Sequence, residues 1–128
     1  MEYVFLLARI LFGGFWLIYA FKNLRNASMM EGYVASKGVP AAKVAILVSG
    51  VLLFLGGLSM LLGLYPTWGS VCLTLFLVPA TLIMHNFWAD KDPSARMSNL
   101  INFHKNTALL GALWMINMVP QPWVFSLG

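Results

Sequence analysis

This chain has little charge, a single thiol and none of the short motifs on which soluble enzymes rely. Of its 128 residues only 9% are Asp, Glu, Lys or Arg, whereas an ordinary soluble domain carries about 25%. Eight basic and four acidic side chains cannot cover a globule of this size. Disorder is excluded too, because it requires high charge with low hydrophobicity, and 60% of these residues are hydrophobic. The lone cysteine, Cys72, rules out self-contained thiol–disulfide chemistry, which needs a partner thiol. There is no P-loop, no G-x-G-x-x-G, no nucleophile elbow and no Cys/His cluster at metal spacing, so no intrinsic cofactor or metal site is expected. No basic patch is interleaved with aromatics, so nucleic acid is not an expected partner.

What the chain does have is long apolar runs. Tyr3 to Phe21 is broken only by Arg9, while Val44 to Leu64, Trp68 to Trp88 and Asn106 to about Trp123 carry no charge. Each is close to the ~20 residues that a helix needs to cross ~30 Å of hydrocarbon. Backbone groups in lipid must be satisfied internally, and none of the runs alternates as a barrel strand does. The expectation is an all-α, four-transmembrane-helix bundle: one domain over residues 1–128, in the inner membrane, with helices at about 3–21, 44–64, 68–88 and 106–123. The first run has no basic start and no small-x-small site before Lys22, so it reads as a retained helix and not as a signal peptide. No acid lies within a run, which argues against a carboxylate-based pump.

The basic residues predict orientation. Lys22, Arg25, Lys37 and Lys43 flank the first loop, and Lys91, Arg96 and Lys105 the third. The second loop, Tyr65-Pro66-Thr67, has none. Basic loops stay cytoplasmic, so loops one and three are expected inside and both termini outside. Short interfacial helices are expected within these loops. Ser28–Ser36 would be ended by Gly38 and Pro40, and a second would begin with Asp92 as N-cap and Pro93 as first helical residue.

In lipid, small and polar residues mark the faces that pack. Arg9, Gly13, Trp16, Ala20 and Asn23 form such a stripe on the first helix, and Ala45, Ser49, Leu52, Gly56, Ser59 and Gly63 on the second. Thr74, Val78, Thr81, His85 and Trp88 do so on the third, while Asn106 and Asn117 share a face of the fourth. Arg9 and Thr74 both fall about 9 Å below the outer edge at 1.5 Å per residue, with Ser59 and Asn117 near that level. Arg9 either snorkels to the headgroups, with Glu2 nearby, or clamps an anion or quinone carbonyl together with Thr74 and Asn117. A second polar layer at the inner edge contains Lys22, Asn23, His85, Asn86, His104, Lys105 and Asn106. His85 is either a bonded core histidine or a proton-relaying or ligand-binding group. Lys105 and Asn106 are either an anchor and a cap or part of that site. Haem is disfavoured, because the other histidine, His104, lies in the loop region.

The whole chain resembles the DoxX family of small four-helix membrane proteins. The resemblance rests on Ala8 to Gly14, on Tyr33 to Pro40 with its Lys37-Gly38-Val39-Pro40, and on Gly56 to Leu64. It continues through Ala80-Thr81 with His85 to Trp88, and through Phe103 to Asn106 followed by Leu109-Leu110-Gly111. It implies an accessory subunit of a quinone-linked redox complex, with an oxidoreductase partner supplying the catalytic chemistry. Arg9, His85, Lys105 and Asn106 are the positions it marks. Where many members carry a glutamate shortly before the glycine pair of helix two, this chain has Leu53 and Phe54. The alternative from the residues alone is a lipid- or small-molecule-binding protein, or a scaffold that packs tightly with itself or a partner.

A reporter fused after Gly128 is expected to read on the outer side of the membrane. A cytoplasmic signal there overturns the charge-based orientation.

Overall fold

The computed structural model describes residues 1–126. Gly128, on which the expectation for the C-terminus falls, lies outside the described residues. The order is α1 (Glu2–Arg25), α2 (Ala27–Ser36), α3 (Ala42–Leu62), α4 (Pro66–Met84), a 3-10 turn (Phe87–Ala89) and α5 (Pro93–Ile116), with no strand among the described residues. Three stretches, Glu2–Arg25, Ala42–Leu62 and Pro66–Ala89, are long and apolar enough to cross a membrane. Their outward faces carry Leu7, Leu11, Ile18, Val48, Leu55, Leu75 and Leu82, all exposed. A surface of this kind is suited to lipid and not to water.

The caps follow the sequence signals. Gly38, at φ 84°, follows α2, and the Asp92 carboxylate accepts from Ala95 N at 3.2 Å ahead of Pro93. Two expected boundaries do not hold. The third run was expected to be helical to Trp88, but α4 ends at Met84; His85 is its C-cap and Trp88 sits in the 3-10 turn. Where the helix ends, His85 Nδ1 is bonded to Asn99 Oδ1, and Asn86 Oδ1 accepts from Lys37 Nζ. The fourth helix was expected over 106–123 after a separate interfacial helix. Instead one continuous helix runs from Pro93 to Ile116. Pro120 and Pro122 explain its early stop, since each lacks a donor and restricts the residue before it. It carries Arg96, His104 and Lys105, and α5 is not among the helices that are apolar enough by composition.

α3 is the centre of the bundle: α1 packs on one side, α4 on the other, and α2 crosses its beginning. Two consecutive glycines make this possible. A Cβ on Gly57 would stand 3.0 Å from Gly13 O and from Trp16 Cβ of α1, and one on Gly13 would stand 2.8 Å from Gly57 O. Gly56 faces the other way, where a Cβ would be 2.4 Å from Leu73 Cγ of α4. On α1 the buried residues are Arg9, Gly13, Trp16 and Ala20, the stripe that the spacing predicts. On α3 they are Ala42, Ile46, Gly50, Leu53, Gly56, Gly57 and Met60, so the inward face is turned from the expected stripe and broader than it. The reason is that α3 has a neighbour on each side. α4 likewise buries Ser70, Leu73, Leu77 and Thr81 in place of Thr74 and Val78. Trp16, Leu53, Met60, Leu73, Leu77 and Leu113 fill the core.

Gly57→Val is expected to lower the thermal midpoint of the purified protein sharply, because overpacking a backbone contact costs about 1–3 kcal/mol or more. Gly14→Ala, where an added Cβ meets nothing within 4 Å, should leave the midpoint unchanged or raised. Equal effects of the two variants would show that the α1–α3 approach is not the constraint.

Candidate functional site

Arg9 is buried, with 4% of its surface exposed, so it does not snorkel. Its Nε donates to Met60 O at 3.4 Å, and its Nη2 donates to Leu61 O at 3.0 Å and Phe125 O at 3.2 Å. Nη1 donates to Val124 O. Met60 and Leu61 lie in the last turn of α3, where carbonyls have no intrahelical donor. The guanidinium thus caps α3 and binds the segment after α5 to it. The Phe5 and Trp123 rings flank it, each centroid 5.7 Å away. A cavity of about 380 Å³ beside it is walled by Phe5, Phe12, Met60, Met115 and Trp123. With four carbonyls already bound, Arg9 has little donor capacity left for a ligand.

Thr74 and Asn117, the expected companions of Arg9, are engaged elsewhere. Ser70 Oγ donates to Asn117 Oδ1 at 2.8 Å, Trp114 Nε1 to Thr74 Oγ1 at 3.3 Å, and Gln121 Nε2 to Thr67 Oγ1 at 3.2 Å. These are three rungs of one antiparallel ladder between α4 and the end of α5. These polar residues therefore hold α4 to the end of α5, as interhelical hydrogen bonds in membranes commonly do. Sequence reasoning missed the ladder, although Thr67, Ser70 and Thr74 already show the i, i+3, i+7 spacing of one face.

The other end of the bundle is different. A cavity of about 410 Å³ lies where all five helices meet, with Asn23, Ser49, His85 and Asn106 as its polar lining and Phe76 and Pro79 among its apolar wall. Asn106 is buried, with 8% of its surface exposed. Its carboxamide has no hydrogen-bond partner among the described residues, and neither does that of Asn23 nor the hydroxyl of Ser49. Among the described residues the one fully buried side-chain polar atom without a partner is Trp16 Nε1; the polar groups of Asn23, Ser49 and Asn106 stay open to the cavity, with donors and acceptors to offer there. His85 is half-buried and bonded on one side only, Nδ1 to Asn99 Oδ1 at 3.2 Å. Asn99 escaped the sequence reading. Its signal is a seven-residue repeat, Asn99, Asn106 and Leu113, the three buried positions of α5. Pro79 lacks a backbone donor, which leaves the Leu75 carbonyl without its usual helical partner, and both residues line the cavity. Lys105 does not join this group: it is exposed, its ammonium 6.0 Å over the Tyr19 ring that Lys22 also covers at 5.1 Å. Of the six residues singled out by sequence, only His85 and Asn106 share a cavity. Among the described residues no three His, Cys, Asp or Glu side chains cluster closely enough for a metal.

The family profile of DoxX matches residues 4–86, from α1 to the residue after His85. The chain is 26% identical over 122 residues to the inner membrane protein YphA of Escherichia coli strain K12, covering 95% of this chain and 86% of the relative. That alignment is long enough to run on into α5. No solved structure matches the chain.

Arg9→Lys keeps the charge but loses the forked donor set. It is expected to cost about 2–3 kcal/mol and to speed amide exchange over residues 119–126 while the middle of α3 stays protected. Unchanged exchange in that segment would show that the Arg9 bonds do not hold it.

Proposed function

Because the chain belongs to the DoxX family of membrane proteins, we propose that it is a small inner-membrane protein that holds a quinone-class ring in the cavity between Asn23, Ser49, His85 and Asn106. One observation carries this reading: Asn106 is buried and unpartnered on the wall of that cavity. The fit is favourable in shape and in chemistry. Ligand pockets are mostly apolar spaces of about 300–1,000 Å³ with a few convergent polar groups, and this one has about 410 Å³ with carboxamides, a hydroxyl and an imidazole. The carboxamides would bind the ring oxygens and the Phe76 and Pro79 side would carry its apolar body. A bound quinone supplies two-electron, two-proton redox chemistry. This chain contributes the binding groups, and an oxidoreductase partner would contribute the donor, which makes the protein an accessory subunit.

The reading includes α5 as a fourth crossing. In its support, α5 follows α4 from the Thr67–Gln121 bond at one end to the His85–Asn99 bond at the other. Its 24 residues rise about 36 Å. In this reading the basic loops one and three face the cytoplasm, and the cavity lies in the cytoplasmic half of the bilayer.

Thermal stability of the purified protein with a short-tailed benzoquinone tests the proposal. Saturating the wild type at a hundredfold excess over Kd should add about 2.7 kcal/mol. Asn106→Leu and His85→Phe are expected to lose the shift, and Arg9→Lys to keep it relative to its own baseline. No shift in the wild type, or an equal one in Asn106→Leu, overturns the site.

A further inference from the structure

An ionised carboxylate offers only acceptors. Asp90 Oδ2 receives a hydrogen bond from Asn99 Nδ2 at 2.7 Å, so the Asn99 amide is held in one sense, nitrogen toward Asp90 and oxygen away. That oxygen lies 3.2 Å from His85 Nδ1. An amide oxygen only accepts, so Nδ1 must carry the hydrogen and donate it. In a neutral imidazole protonated at Nδ1, the second nitrogen is an acceptor. His85 Nε2 has no partner among the described residues, and His85 lines the cavity while Asn99 and Asp90 lie behind it.

We propose that the Asp90–Asn99–His85 chain makes the cavity selective for a ring bearing a hydroxyl hydrogen, the reduced hydroquinone, over the quinone. This rests on the quinone-class reading of the cavity and adds the redox state of its ligand. Asn23, Ser49 and Asn106 each donate or accept as needed and are indifferent to that state. His85 is not. A hydroquinone O–H meets the lone pair of Nε2, whereas a quinone carbonyl sets lone pair against lone pair. Asp90 and Asn99 are positioning residues in this scheme: neither reaches the cavity, and both act by fixing which nitrogen of His85 carries the hydrogen.

Two measurements on the full-length protein in nanodiscs test it, at about pH 8, where an ordinary imidazole is neutral. In nitrogen NMR of histidine-labelled protein, with His104→Gln removing the other histidine, His85 should show a protonated Nδ1 and an unprotonated Nε2. The reverse pattern overturns the proposal without any variant in the network. In anaerobic binding, a short-tailed hydroquinone should bind about tenfold or more tightly than its quinone. Asn99→Leu should bring the two within about twofold while both still bind. Equal affinities in the wild type, with both lost in Asn106→Leu, overturn the selectivity and leave the cavity reading intact. Binding of neither form overturns both.

Discussion

The bundle depends on how closely α1 and α4 approach α3. In lipid there is no hydrophobic drive to bring helices together, so contact area between backbones has to substitute for it. Gly56 and Gly57 supply that area in two directions, one glycine for each neighbour. Everything else is placed by this arrangement. It sets Trp16 and Leu73 against α3 and brings Arg9 to the last turn of α3. Both cavities are walled in part by α1 and α3, whose approach Gly57 permits.

The two ends of the molecule use their polar residues in opposite ways. At the end with Arg9, nearly every polar group is spent on the fold: four carbonyls for the guanidinium and three rungs of side-chain bonds between α4 and α5. At the end with His85, several are held back. Asn23, Ser49 and Asn106 stand on a cavity with no bonds of their own, while Asn99 and Asp90 are bonded to one another and to the back of His85. The polar groups at one end are thus committed to the fold, while those at the other keep donors and acceptors facing open space.

Much of this was legible in the sequence. Apolar runs gave the membrane class, the 4-3 spacing of Arg9, Gly13, Trp16 and Ala20 gave the buried face of α1, and Asp92-Pro93 gave the start of α5. The illegible parts have common physical causes. Arg9 pairs with backbone carbonyls, which leave no trace in residue identity. The face of α3 was misread because a single stripe describes a helix with one neighbour, and α3 has two. The length of α5 was misread because its polar half looked like a loop helix, whereas its asparagines at 99 and 106 face inward along the same stripe as Leu113. That His85 and Asn106 line one cavity follows from their being polar residues at one depth. Arg9, Thr74 and Asn117 lie at one depth as well, but depth alone does not tell a ligand site from a set of rivets.

The Arg9 clasp joins residues that are 115 apart in the chain. At ordinary rates of synthesis, on the order of ten seconds separate their emergence from the ribosome. Throughout that interval the first helix carries a guanidinium whose partners in the last segment do not yet exist, and α3, which supplies the others, is itself still to be made for part of it. An arginine within a span is costly while unpaired, and half of the carbonyls that Arg9 binds belong to Val124 and Phe125. The full set of Arg9 bonds therefore exists only once the segment after α5 has been made.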